Sequence, residues 1–108
     1  MIVENWTGHD INILFKGKKS ITLYAVGEIR VPIKEELAGQ VNICGLDVPL
    51  KRLVRGQVDL PDERPDVYLL VSQITRTENP QRKDLLSPAD MVVRNGITVG
   101  CRSFALNE

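Results

Sequence analysis

The most informative segment of this chain is Met91-Val92-Val93-Arg94-Asn95-Gly96-Ile97-Thr98-Val99, in which Asn95-Gly96 separates two largely apolar runs. A two-residue turn of type I′ between antiparallel strands requires positive φ at both central residues, which Asn and Gly tolerate best. The segment therefore predicts a β-hairpin whose second strand continues through Cys101 and Phe104. Gly100 interrupts that strand, which indicates a β-bulge or the close approach of another backbone.

Outside this hairpin, several short segments alternate apolar and polar residues with the period of two that is typical of strands. Residues 67–71 are apolar throughout, which favours a central strand buried on both faces. In residues 29–33, Pro32 removes a backbone donor, so we expect this strand to lie at a sheet edge or to end there. The other predicted strand segments are residues 11–15, 21–23 and 41–43.

Two segments predict short helices. Residues 34–38 end at Gly39, and the polar residues 72–78 end before Pro80, since proline disfavours helical geometry in the residue that precedes it. Because strands outnumber helices, we expect a mainly β fold, a small antiparallel sandwich or partly closed barrel with one or two short helices. An α+β arrangement is the alternative. A chain of 108 residues suits a single domain over residues 1–108.

The charge balance argues against nucleic acid as a partner. The chain carries 14 Lys and Arg and 14 Asp and Glu residues, whereas sequence-independent binding to nucleic acid depends on excess positive charge. The longest apolar run, residues 67–71, is too short to span a bilayer. The two cysteines are far apart and no apolar leader opens the chain, so we expect a reduced, cytoplasmic protein with no membrane partner.

Few residues could support catalysis or metal binding. Structural zinc needs about four Cys or His ligands, and the chain offers one histidine, His9, and two isolated cysteines, Cys44 and Cys101. The glycines are scattered singly and form no phosphate-binding loop. A dyad of His9 with one cysteine is conceivable, but two buried strand cysteines are the favoured interpretation. We expect no metal, no cofactor and no enzymatic activity.

Arginine side chains supply the best candidate for a ligand site. The planar guanidinium suits carboxylate or phosphate groups, and three arginines lie around residues 82–90, which we expect to form an ordered loop anchored by two leucines. Ordinary solvated charge, and a tryptophan packed in the core rather than stacked on a ligand, are the competing interpretations. The predicted ligand-binding residues are Arg76, Arg82, Asp84, Arg94, Trp6 and His9.

Two blocks of the chain resemble a family of short, poorly characterised proteins encoded by phages, prophages and some actinobacterial genomes. The block Asn5-Trp6-Thr7-Gly8-His9, followed by a strand, is similar to the family's opening Asn-Leu-Thr-Pro-His. The block Arg82-Lys83-Asp84-Leu85-Leu86-Ser87-Pro88, together with the strand before it and the hairpin after it, resembles an Arg-x-Asp-Leu-x-x-Pro loop in its context. The resemblance implies a phage or mobile-element setting, and a location in the host cytoplasm, but no catalytic residue.

In that setting three functions compete. The first is binding of an anionic small molecule, for example by a phage protein that sequesters a nucleotide immune signal. The second is a protein–protein interaction module, an inhibitor of a host enzyme or a small assembly component, which would use apolar surface on residues 29–33. The third, a hydrolase using His9 and a cysteine, ranks last. Because edge strands expose unpaired backbone groups, we also expect a homo-oligomer.

Overall fold

The structure, a computed structural model, places all 108 residues and describes every side chain except that of Lys18. It is mainly β, as predicted. Over the described backbone, the elements in chain order are β1 (Ile2–Asn5), β2 (Ile11–Leu14), β3 (Ser20–Leu23), β4 (Ile33–Ile43), β5 (Leu46–Arg55), β6 (Val67–Leu70), α1 (Gln73–Thr77), β7 (Leu85–Arg94) and β8 (Ile97–Leu106). A short 3₁₀ turn at Lys16–Lys18 lies between β2 and β3.

Six strands form one sheet in the order β1-β6-β7-β8-β2-β3. The sheet is mixed rather than purely antiparallel, because β6 runs parallel to both neighbours and β2 runs parallel to β8. The pairs β2–β3 and β7–β8 are antiparallel hairpins. Parallel pairing arises because the chain leaves this sheet after β3 and re-enters it at β6, beside β1. We call this sheet, with α1 and the segments 24–32 and 56–66, the body.

β6 is the buried strand that its continuous apolar sequence predicts. Leu69 and Leu70, which point to opposite faces of the sheet, are only 1% and 0% exposed. Leu69 forms the core cluster with Ile29, Val71 and Leu85. The partly buried side chains packed against this cluster are Trp6, Val58, Leu60 and Val67. The core therefore lies at the β6–β7 side of the sheet, where the chain segments outside the sheet cover it.

The hairpin predicted from Asn95-Gly96 is confirmed, with β7 and β8 joined by a turn in which these residues have φ of 53° and 76°. The close approach predicted at Gly100 is confirmed as well, because a Cβ there would lie 2.7 Å from the carbonyl oxygen of Asn12. A helix within residues 72–78 is also confirmed. The Ser72 hydroxyl caps α1 by accepting a hydrogen bond from the backbone N–H of Thr75 at 3.2 Å.

The helix predicted for residues 34–38 is wrong, because these residues belong to β4. Each of the first five residues of β4 pairs with a residue of β5, and Lys51 and Glu35 form an ion pair across the strands at 3.1 Å. An isolated helix of five residues loses more backbone entropy than its single turn of hydrogen bonds recovers. Pairing with β5 therefore determines the conformation of this segment.

The edge strand predicted for residues 29–33 is also wrong. Its first four residues belong to no strand, although Ile29 and Val31 are only 7% and 8% exposed and point into the body. The backbone N–H of Ile29 donates to the carbonyl oxygen of Trp6 at 2.9 Å, but no ladder continues from this contact. The exposed apolar surface predicted here therefore does not exist, since of the three apolar residues only Ile33 is exposed.

The ordered loop predicted for residues 82–90 is a strand over most of its length. β7 begins at Leu85, and Leu85 and Leu86 pair with Leu69 and Leu70 of β6. The two leucines anchor the segment, as expected, but they do so as buried members of a central strand. Only residues 82–84 remain outside the sheet.

β4 and β5 form a separate two-stranded sheet, which we call the arm (residues 33–55). Every residue of both strands is exposed. The arm makes the molecule long, with extents of 58 × 38 × 24 Å and a radius of gyration of 18.0 Å, whereas a compact chain of this length has a radius of about 13 Å. Over the described residues, no helix has the length and apolar character needed to cross a membrane.

Candidate anion-binding site

A cavity of about 620 Å³ lies at the β2–β3 end of the body, and half of the residues that line it are positively charged. Its volume falls within the range of about 300–1,000 Å³ that small-molecule sites occupy. Four cationic residues line it, Lys16, Lys19, Arg94 and Arg102. They come from three separate parts of the chain, the β2–β3 turn, the end of β7 and the middle of β8.

Local chain geometry places the two lysines. The turn between β2 and β3 closes with a hydrogen bond from the backbone N–H of Phe15 to the carbonyl oxygen of Lys19 at 2.8 Å. Gly17 occupies the left-handed region at φ 77°, which lets the chain reverse within these few residues. Lys16 and Lys19 therefore stand on the same tight turn, at the rim of the cavity.

Strand register places Arg102. Ile13 of β2 pairs with Cys101 of β8 in parallel, and because side chains alternate along a strand, Leu14 and Arg102 follow on the opposite face of the sheet. Both residues line the cavity. The guanidinium of Arg102 is thus brought next to the β2–β3 turn by pairing between distant parts of the chain.

The four cations have no carboxylate partners among the described side chains. The ion pairs of those side chains involve Arg30, Lys51, Arg55, Arg64 and Arg82 instead. The cavity lining contains no acidic residue, although the chain as a whole has zero net charge. Such segregation concentrates positive potential in a concave site, where an anion would relieve the repulsion between like charges.

The wall of the cavity also has an apolar part, formed by Leu14 and Phe15. The Phe15 side chain is 45% exposed, so its ring is accessible from the cavity side and from solvent. An aromatic ring beside arginine guanidinium groups suits a ligand that has a flat apolar portion as well as a negative charge.

Of the predicted ligand-binding residues, only Arg94 belongs to this cavity. Arg76 lies on α1, where its Nε donates to the Ser87 hydroxyl at 2.7 Å and its Nη1 donates to Oδ1 of Asn107 at 3.2 Å. Ser87 and Arg94 are seven positions apart on β7, a separation of about 23 Å along a strand. The structure therefore does not bring Arg76 and Arg94 together.

Arg82 and Asp84 bind each other. The guanidinium donates from Nε and Nη2 to the two carboxylate oxygens at 2.9 and 2.8 Å, and from Nη2 to the Pro61 carbonyl oxygen at 2.7 Å. The hydrogen bond to Asp84 raises the pKa of the Arg82 guanidinium above its ordinary value. This bidentate pair ties residues 82–84 to the covering segment 56–66, which makes it a structural contact.

Trp6 and His9 lie in the body but do not line this cavity. The Trp6 ring packs against the core, and its Nε1 donates to Oε1 of Glu4 at 3.2 Å. Hydrogen bonds from Arg64 and then from Trp6 lower the pKa of the Glu4 carboxyl. The exposed His9 lines a different, largely apolar cavity of about 400 Å³ near the base of the arm, together with Ile74 and Pro88.

The two cysteines occupy different environments. Cys101 is buried at the middle of β8, as expected, whereas Cys44 is exposed at the tip of the arm, where its φ of 51° forms part of the β4–β5 turn. The expectation that both cysteines are buried is therefore wrong for Cys44. Burial raises the pKa of the Cys101 thiol, which lowers the fraction of the nucleophilic thiolate at neutral pH.

We expect Cys101 to resist alkylation in the folded protein. In a Cys44→Ser variant, iodoacetamide should modify Cys101 at least about 100-fold more slowly in buffer than in urea, because reaction requires opening of the sheet. Mass spectrometry of timed samples measures this rate. Rapid alkylation of the folded variant would contradict the burial and would favour a reactive thiol.

Sequence reasoning missed Lys16, Lys19 and Arg102. A signal for the lysines was present, since residues 16–19 read Lys-Gly-Lys-Lys directly after an alternating strand. No local signal distinguishes Arg102, because its place in the cavity depends on the pairing of β8 with β2.

The chain matches no protein-family model, no curated protein and no solved structure.

Proposed function

We propose that the protein is a non-enzymatic binding protein for a small phosphate-bearing molecule, held in the cationic cavity. The observation that carries this proposal is the convergence of four cationic side chains on one cavity without an acidic neighbour. Arginine forks bind phosphate oxygens in pairs, and lysine ammonium groups add positive charge without demanding one orientation.

The apolar wall favours a nucleotide over a bare phosphate. Phe15 and Leu14 offer apolar contact to a base or a sugar, while the cations hold the phosphate. In the phage setting that the sequence resemblance implies, a nucleotide used as an immune signal is a ligand of this class. Sequestration requires tight binding and no chemical step, and the lining of this cavity contains no histidine, cysteine or carboxylate side chain.

Calorimetric titration with adenosine monophosphate, its 3′,5′-cyclic form and inorganic phosphate tests the proposal. We expect Arg94→Ala and Arg102→Ala each to raise the dissociation constant of the nucleotide about 10-fold or more, since a charge-assisted hydrogen bond contributes about 1.5–3 kcal/mol. Inorganic phosphate should bind more weakly than either nucleotide, because it cannot contact Phe15.

Arg52→Ala on the arm is the matched control, because Arg52 is an exposed arginine that does not line the cavity. It should leave affinity unchanged. If the wild-type protein binds none of the three probes, or if both cavity variants bind as tightly as the Arg52→Ala control, this cavity is not the ligand site.

The second candidate function is a protein–protein interaction module, either an inhibitor of a host enzyme or a small assembly component. The arm favours it, because nine of the large apolar side chains that are exposed in the structure lie on β4 and β5. Apolar side chains that are grouped on one projecting element mark interaction sites more often than single exposed residues do. Loss of partner binding after deletion of the arm tip, with unchanged nucleotide binding, would separate the two functions.

A further inference from the structure

The arm has one apolar face and one polar face over its outer half. In an antiparallel pair, residues directly opposite each other point to the same side of the sheet. Val41 pairs with Val48 and Ile43 pairs with Leu46, so these four side chains share a face, and alternation along β5 adds Leu50. These five side chains, which we call the arm's apolar face, are between 40% and 72% exposed.

The opposite face of the same half is mostly polar. Gln40 lies opposite Pro49, and the amide of Asn42 donates to the carboxylate of Asp47 at 3.0 Å across the strands. Separation of polar and apolar residues onto two faces is the pattern of a sheet that is covered on one side only. A solvated two-stranded arm would gain nothing from five aligned aliphatic side chains, and an isolated hairpin is only marginally stable in water.

The solvent-accessible surface area indicates how much of the chain a partner could bury. The chain exposes 7964 Å², whereas a compact monomer of 12.1 kDa exposes about 6,000 Å². The excess is about 1,900 Å² per chain, and interfaces of obligate homo-oligomers bury about 1,000–2,500 Å² on each partner. The excess therefore equals what one stable interface between copies would remove.

We propose that a second copy of this chain covers the arm's apolar face, so that the protein is a homo-oligomer whose arms are exchanged between copies. Every copy carries an arm and also exposes apolar side chains on the body, among them Met91, Val93 and Ile97 at the β7–β8 hairpin. If the arm of each copy contacts the body of another, the apolar surfaces of both are buried in a closed, symmetric assembly. This inference does not rest on ligand binding in the cationic cavity.

Light scattering after size-exclusion chromatography, with the full chain over a range of micromolar concentrations, tests the proposal. We expect the wild-type mass to be at least twice the 12.1 kDa of one chain. Val48→Glu places a charge in the centre of the arm's apolar face, and it should shift the mass to that of one chain or raise the dissociation constant at least about 100-fold.

Gln40→Glu is the matched control, since it adds the same charge at the neighbouring level of the arm but on the polar face. It should retain the wild-type mass. The fluorescence of Trp6, which packs in the body core, reports whether each variant is folded. Val41→Glu provides a second substitution of the apolar face, should Val48→Glu fail to yield folded protein.

A wild-type protein with the mass of a single chain at every concentration would overturn the proposal. A folded Val48→Glu variant that keeps the wild-type mass would overturn it as well, because the oligomer would then form without the arm's apolar face. Nucleotide titrations of the Val48→Glu variant keep the two proposals separate, since the cationic cavity lies on the body and includes no arm residue.

Discussion

Replacement of Asn5 by alanine is expected to lower the free energy of unfolding by about 3–5 kcal/mol, because it would remove four partly buried hydrogen bonds. Asn5 is 1% exposed at the end of β1. Its amide donates to the carbonyl oxygens of His9 and Leu23 at 2.7 and 2.8 Å. Its Oδ1 accepts from the backbone N–H and the hydroxyl of Thr7 at 3.0 and 2.6 Å.

These four hydrogen bonds join the end of β1 to the following turn and to the end of β3. The Thr7 hydroxyl oxygen also accepts a hydrogen bond from the backbone N–H of His9 at 3.3 Å. Asn5 and Thr7, the first and third residues of the Asn5-Trp6-Thr7-Gly8-His9 block, therefore form one closed polar cluster. In this chain, this block of the sequence resemblance therefore has a structural role, since it joins the end of β1 to the end of β3. Its polar residues hold the backbone, and its tryptophan packs against the core.

Urea unfolding at a single protein concentration, followed by Trp6 fluorescence and by circular dichroism, measures the effect. Asn12→Ala is the control, because Asn12 also lies on the sheet but makes exposed hydrogen bonds to Val99 and Thr22. It should cost less than about 1 kcal/mol. Equal losses in the two variants would mean that burial of the Asn5 cluster adds nothing to stability.

Gly100→Ala is expected to destabilise the protein by about 2–3 kcal/mol, since the added methyl group has no room. A Cβ at this position would lie 2.7 Å from the carbonyl oxygen of Asn12, 3.2 Å from the Cβ of Asn12 and 3.1 Å from the Cγ of Leu14. The closest of these atoms is backbone, so relief requires that β2 move away from β8. Because β2 also carries the turn with Lys16 and Lys19, that movement should also weaken the nucleotide binding that we propose for the cavity.

Gly56→Ala is the matched control for the added methyl group. Its Cβ would meet Pro32 at 3.5–3.7 Å, which is ordinary van der Waals contact. We expect a change in stability within about 1 kcal/mol, in the stabilising direction if the loss of chain entropy in the unfolded state dominates. Urea unfolding of both variants makes the comparison, and a Gly100→Ala variant as stable as Gly56→Ala would show that β2 and β8 are not held in close contact.

The candidate site separates arginines that the sequence alone does not distinguish. Arg94 was recognisable as an arginine next to a predicted turn, and the structure places it in the cavity. Arg76 and Arg82 have the same chemistry in the sequence, yet Ser87 and Asp84 already occupy their guanidinium groups. Which arginine is available to a ligand depends on the partners that folding brings to it, and residue type does not reveal those partners.

Interactions between residues that are close in the sequence determined the local conformation of several segments. Asn95-Gly96 tolerates the positive φ that its turn requires, Ser72 caps the helix that follows it, and the continuous apolar run at residues 67–71 has to be buried on both faces. Tertiary structure decided the conformation of residues 34–38, because β5 supplies their hydrogen-bond partners. It also assembled the cationic cavity, because the pairing of Ile13 with Cys101 brings β2 beside β8, and so brings the turn lysines and Arg102 into one cavity.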